Sequence, residues 1–189
     1  MSETKRLIIG ISGASGIIYG VRLLEILKAM ENIETHLVIT KAAERTRDYE
    51  TSFTSKDIKD LADIVHPVND IGATIASGSF KTEGMIIAPC SVKTLAEIAT
   101  GVTTSLISRA AEVCLKERRK LILAVRETPL TLTHINNMKT VTENGGIITP
   151  PVPAFYHQPK TINDIVDHTI GRWLDLLNIE SDLVKRWEG

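Results

Sequence analysis

Short apolar runs alternate with stretches of helical period along the whole chain, and that alternation leaves few architectures open. "RLIIGI" gives way to a helical pattern from Ala14 to Met30. "ETHLVIT", ending at Thr40, precedes the helical "KAAERTRDYE" and the short helix "SKDIKDLAD", which Ser55 is placed to cap. "GMIIAP" leads into "SVKTLAEIATG", closed by Gly101, and "SLISRAAEVCLKERRK" leads into "LILAVRE". "TLTHINNMKTVTENGG" reads as a helix ending at Gly145-Gly146, before a short strand "IIT". "HPVNDIGATIASGSF" reads as loop with a short strand in it. "PPVPAFYHQP" is irregular, because its prolines fix the backbone and remove donors. The last helix opens at Thr161 with Asp164 three residues on, and puts Ile162, Ile165, Val166, Thr169, Trp173 and Leu177 on one face. Parallel neighbours need crossover connections, so the predicted fold is α/β: a doubly wound parallel sheet in three α/β/α layers.

No repeat, low-complexity tract or linker divides the 189 residues, which read as one domain spanning residues 1–189. The net charge of −1 supplies no global positive field for nucleic acid or an anionic membrane, so neither is expected as a partner. No apolar stretch approaches the roughly 18 residues of a membrane span. The N-terminus enters a strand without a hydrophobic signal core. Cys90 and Cys114 match neither a disulfide framework nor a CxxC motif, so a reducing cytoplasm is expected.

In a doubly wound sheet, ligands bind outside the carboxyl ends of the strands. That rule nominates Gly10–Gly16, Thr40–Lys41, Pro89–Thr94 and Arg126–Glu127 as one edge. The first of these, "GISGASG", is a glycine turn whose backbone can approach a ligand, at a helix start that offers N–H groups to an anion. It reads either as a nucleotide loop or as a tight turn with nothing bound. A dinucleotide site wants an acid after the second strand, and here Thr40-Lys41 stand there; Lys41 leaves only an opening for a phosphorylated dinucleotide. No Gly-Lys-Ser/Thr follows, which excludes a Walker loop. "GISGA" lacks the closing glycine of a nucleophile elbow and sits on the wrong strand for one, so Ser12 reads as support for the turn.

Ser91 reads as the cap of the next helix and, with Thr94, as a site for an anion or a heterocycle edge. Cys90 has no histidine partner in evidence and reads as core. Arg109 and Lys116 lie seven apart, on one face of a helix, while Arg118, Arg119 and Lys120 read as a solvated helix end. Arg126-Glu127 follow a strand where the ligand edge should be, as a site or as a structural ion pair. The five histidines show no ligand spacing, so no metal site is expected. Phe155 and Tyr156, held between prolines, read as a packed loop or as a lid whose tyrosine hydroxyl meets an anion.

Taken together, "GISGASGIIYGVRLL", "SGSF", "PCSVKTLA", "SRAAEVCLKERRKL", "VRETPL" and "PPVPAFYHQP" closely resemble the UbiX-type flavin prenyltransferases, long called aromatic-acid decarboxylase subunits, over Lys5 to Trp187. The resemblance implies a Rossmann-like, flavodoxin-like fold, a homododecamer, and reduced FMN as acceptor of a dimethylallyl group from dimethylallyl monophosphate. The prenylated FMN would then serve a separate UbiD-type decarboxylase. Carried over position by position, FMN contacts fall on Gly13, Ala14, Ser15, Thr40, Ser91, Val92, Lys93, Thr94 and Arg126. The family commonly has Ser at position 40, and Thr40 keeps the hydroxyl. The prenyl phosphate falls to Tyr156 and Arg172, with Arg109, Lys116, Arg126 and Glu127 around it. Glu50, in "DYET", matches the family's acidic residue near the reacting flavin, so catalytic roles are implied for Glu50, Glu127, Lys116 and Ser15.

The residues fit that chemistry. No DDxxD motif is present to hold magnesium against a diphosphate, whereas arginines and a tyrosine can hold a monophosphate directly and stabilise its developing charge. Glu127 among those cations could relay a proton to the leaving phosphate. The competing readings are an FMN-dependent decarboxylase of aromatic acids or of cysteine-containing substrates, and a non-catalytic flavin carrier subunit.

Overall fold

The computed structural model describes residues 4–184; Trp187, the far end of the resemblance, lies outside the described residues. Strands β1 (Lys5–Ile11), β2 (Ile33–Ile39), β3 (Ile64–His66), β4 (Gly84–Cys90), β5 (Lys120–Val125) and β6 (Ile147–Ile148) form one sheet in the order β3-β2-β1-β4-β5-β6. Every pairing is parallel. The connections carry α1 (Ile17–Lys28), α2 (Lys41–Glu50), α3 (Ser55–Lys59), α4 (Val92–Thr100), α5 (Leu106–Lys116) and α6 (Leu132–Glu143), with α7 (Ile162–Leu176) closing the chain. The strand order reverses between β1 and β4, which makes their carboxyl ends the switch point where such sheets bind ligands.

The apolar runs form strands because both faces are covered. Leu7, Ile9 and Ile11 of β1 pack with Leu24 of α1 and Ile170 and Trp173 of α7 in one core layer. Ile8, one residue out of step, packs with Met85, Leu95 and Ile107 in the other, as a period of two demands. This is the doubly wound, three-layer architecture read from the residues and the flavodoxin-like fold that the resemblance implies.

Four local readings need correction. The first helix begins at Ile17 and not at Ala14, because Gly16 takes a left-handed φ of 101° that no helix accommodates. Thr54 caps α3 in a capping box with Asp57; Ser55 is the first helical residue, and its hydroxyl donates to Glu44 at 2.6 Å instead. The short strand precedes the irregular segment and overlaps it only at His66; its residues are exposed or half-buried and so carry no burial signal. On α7, Ile162 is 76% exposed, and the buried face centres instead on Val166, Ile170, Trp173 and Leu174. Thr161 does cap that helix, with Asp164, and Gly101 closes α4 in the left-handed region. Among the described residues no helix is long and apolar enough to cross a membrane.

Candidate functional site

Backbone hydrogen bonds run past the ends of the strands and tie the nominated loops together. The Thr40 N–H donates to Ile11 at 3.0 Å, Ser12 to Pro89 at 3.1 Å, Arg126 to Cys90 at 3.0 Å and Thr149 to Leu123 at 2.9 Å. Ser12 adds a side-chain staple at the switch point. Its fully buried hydroxyl donates to the Pro89 carbonyl at 3.0 Å and accepts from the Ser91 N–H at 2.8 Å. The reading of Ser12 as support for the turn stands. Ser12→Ala leaves the Ser91 N–H without its acceptor and the Pro89 carbonyl with only the Ser12 N–H, and is expected to lower unfolding stability by about 1 to 3 kcal/mol. Urea unfolding should show the midpoint fall with an unchanged m-value.

The glycine turn is shaped by contact as well as by conformation. A Cβ on Gly13 would lie 2.3 Å from the Ala42 Cβ, so only glycine lets the loop lie against the start of α2. The anion expected at the N-terminus of α1 is supplied by the protein itself. The Glu50 carboxylate, from the end of α2, accepts from the N–H groups of Gly16 at 2.8 Å and Ile17 at 3.0 Å. A ligand phosphate therefore does not take those donors, which corrects the sequence reading.

Burial opposes ionisation of Glu50, but the Ser15 hydroxyl, the Ile17 and Gly16 N–H groups and the field of Arg126 outweigh it. Together they hold the carboxyl below the usual carboxylate range. A carboxyl with a depressed native pKa contributes its stability above the unfolded-state value and loses it as pH falls through the native one. Glu50→Gln should flatten that acid limb of the stability–pH curve, by about 1 kcal/mol or less because the side chain is exposed to screening. Denaturation midpoints across the acid range check this.

At the end of β4, the Ser91 hydroxyl accepts from the Thr94 N–H at 3.2 Å and donates to the Thr94 hydroxyl at 3.1 Å. The N–H groups of Val92 and Lys93 have no partner among the described residues and stand at the first turn of α4. The Lys93 ammonium turns away to Glu97 at 2.6 Å, so this residue offers its backbone and not its charge. Thr40 caps α2, accepting from the Ala43 N–H at 3.1 Å. Cys90 is fully buried, and burial pushes its thiol pKa far up, in keeping with a core role.

Arg126 stands exposed at the end of β5 with no carboxylate within 4.0 Å among the described residues. Glu127 accepts from the Thr128 N–H at 3.0 Å, so the two do not form the ion pair that was the alternative reading. Beside the edge strand β6 lies a cavity of about 450 Å³, lined in part by Thr149, Tyr156, His168, Arg172 and Trp173. Tyr156 and Arg172 thus share one space. Arg172 also pairs with Asp175 at 2.8 Å, and the Tyr156 hydroxyl is hydrogen-bonded to His168 Nε2 at 2.8 Å. His168 was considered in the sequence only as a metal ligand; its signal is a polar residue set between the apolar positions Val166 and Ile170.

Of the two remaining expected members of the phosphate clamp, Lys116 lies away from the ligand edge of its own chain. Arg109, in the first turn of α5, pairs with Glu112 at 2.6 Å. Lys116 is two turns further on, paired with Glu117, just before the chain enters β5 from the opposite side of the sheet. The length of β5, roughly 20 Å, separates that side from Arg126. Sharing a helix face brought Arg109 and Lys116 into line with each other without bringing Lys116 to the ligand edge. Among the described residues no group of three or more His, Cys, Asp or Glu side chains is arranged to hold a metal ion.

A family model described as Flavoprotein matches residues 1–184. A flavin prenyltransferase UbiX of Neisseria meningitidis serogroup B is 55% identical over 185 residues, which cover 98% of this chain and 97% of that protein. The crystal structure of AnUbiX in complex with FMN and dimethylallyl pyrophosphate superposes with a TM-score of 0.96 at 46% identity, covering 99% of each chain. A dodecameric FMN-dependent UbiX-like decarboxylase from Escherichia coli O157:H7 gives a TM-score of 0.95 at 48% identity, over 97% of this chain and 100% of that one.

Proposed function

This chain belongs to the flavin prenyltransferase UbiX family, and from that premise we propose that it transfers a dimethylallyl group from dimethylallyl monophosphate to reduced FMN. We treat residues 1–189 as a single flavoprotein domain, acting in the cytoplasm without a metal ion and passing prenylated FMN to a UbiD-type decarboxylase. The two cysteines, buried and not joined in a disulfide, suit a reducing compartment.

One observation carries the reading: two separate places suited to phosphate lie along the sheet, one after β4 and one beside β6, with Arg126 at the end of β5 between them. One is the α4 start with Ser91 and Thr94 beside Arg126; the other is the cavity shared by Tyr156 and Arg172. A flavin carrier needs only the first, and a decarboxylase has no second phosphate to hold. FMN fits the first place because the donors needed by its phosphate and ring edge are there. Its contacts would be Gly13, Ala14, Ser15, Thr40, the Ser91–Thr94 turn and Arg126. Bound and reduced, FMN supplies the nucleophile.

The protein's own groups then do three things. Glu50 fixes the Ser15 hydroxyl and the α1 start, so the face of the loop is set before ligand binds. Arg126, Tyr156 and Arg172 take up the charge that builds on the departing phosphate. Glu127 passes a proton to a phosphate oxygen as it leaves.

Lys116 joins this clamp from a second copy of the chain, since it lies on the far side of its own sheet, and Arg109 shares its helix face. Apolar side chains beside the cavity support such an assembly: Val152, Phe155 and Ile162 are each about two-thirds or more exposed in the single chain. Phosphate release tests the reading. With a chelator present, the protein should release inorganic phosphate from dimethylallyl monophosphate only when reduced FMN is added. Release at the same rate without flavin, or only with added magnesium, would contradict it.

A further inference from the structure

The hydrogen bond between Tyr156 and His168 has a direction that the proposed chemistry fixes. A phosphate ester presents acceptor oxygens, so a tyrosine that holds it must donate its one proton to it. The phenol oxygen must then accept from His168, which requires the histidine proton on Nε2. With the other tautomer the phenol proton would be spent on His168 and its lone pairs would face the phosphate. The surroundings suit a fixed donor. His168 is 5% exposed on α7, and its ring lies parallel to that of His157, 4.2 Å between centroids at 3°. Tyr156 itself sits in a proline-bounded loop without regular structure and is 49% exposed.

We propose that His168 is a positioning residue that donates from Nε2 to the Tyr156 oxygen and so aims the phenol proton at the prenyl phosphate. The assignment rests on the prenyl-transfer reading above. It gives the reaction a residue that sets affinity for one substrate, the allylic phosphate, and not for the flavin.

Steady-state kinetics on the intact protein with both substrates tests it. His168→Asn keeps an amide but ends short of Nε2, whereas His168→Gln reaches it. The Asn variant should raise KM for dimethylallyl monophosphate about tenfold while KM for reduced FMN stays within about twofold. The Gln variant should recover most of the loss. In a Tyr156→Phe background, His168→Asn should add nothing further, since the effect runs through the missing hydroxyl. Equal changes in both KM values, no difference between Gln and Asn, or an undiminished penalty in the Tyr156→Phe background would overturn the assignment. A wild-type protein that forms no prenylated flavin sinks the prenyl-transfer reading and this one together; an active wild type with indistinguishable variants sinks this one alone.

Discussion

Replacing Arg126 with alanine is expected to lower kcat/KM for the prenyl phosphate by about thirtyfold or more, read as product formed at limiting substrate. Truncating one partner of a close charge pair costs about 2 to 5 kcal/mol, and each 1.36 kcal/mol is about tenfold in rate. Arg126 suits that role because no carboxylate lies within 4.0 Å to occupy it among the described residues, and its backbone is held by the Cys90 carbonyl at the end of β4. Arg126→Lys should recover only part of the loss, since an ammonium makes point contacts where a guanidinium makes two in one plane. The same change should leave a second trace. Without the Arg126 field, the Glu50 carboxyl should titrate closer to its ordinary range. Unaltered kinetics in Arg126→Ala would remove this residue from the clamp.

The second large effect concerns Lys116. Alone, Lys116→Ala is expected to be about as damaging as Arg126→Ala if it meets the same phosphate. From its place on the far side of the sheet we propose that it serves the site of another copy. Mixed assemblies of the two defective chains should therefore regain activity. At equal amounts, about a quarter of the sites would pair an intact Arg126 with an intact Lys116. If each Lys116 served the site of its own chain, every site in the mixture would stay defective and no activity would return. Co-expression with two different affinity tags isolates the mixed assemblies for assay.

The parts of this molecule that obey local rules could be read from the residues alone. Short, almost wholly apolar runs marked β1, β4 and β5, buried on both faces, and the turn after each strand nominated a common ligand edge that the backbone ties between Ser12, Pro89, Cys90 and Arg126 now bind together. What escaped was set by distance or by exposure. Glu50 reaches across 34 residues to occupy the N–H groups of Gly16 and 33 to Ile17, and nothing in the spacing of "GASG" announces that the cap comes from the next helix. β3 is exposed or half-buried along its length, so it had no pattern to detect. The Arg109–Lys116 spacing fixed a helix face but not the direction in which α5 crosses the sheet, which is why Lys116 falls on the wrong side for its own chain. His168 stayed hidden for another reason: its importance lies in a partner twelve residues away on an irregular loop.

The mass of the flavin tests the central claim most directly. Incubated anaerobically with reduced FMN and dimethylallyl monophosphate, the protein should yield a flavin heavier by one five-carbon unit, with phosphate released in equal amount. A flavin recovered unchanged in mass, with the prenyl phosphate intact, would contradict the account.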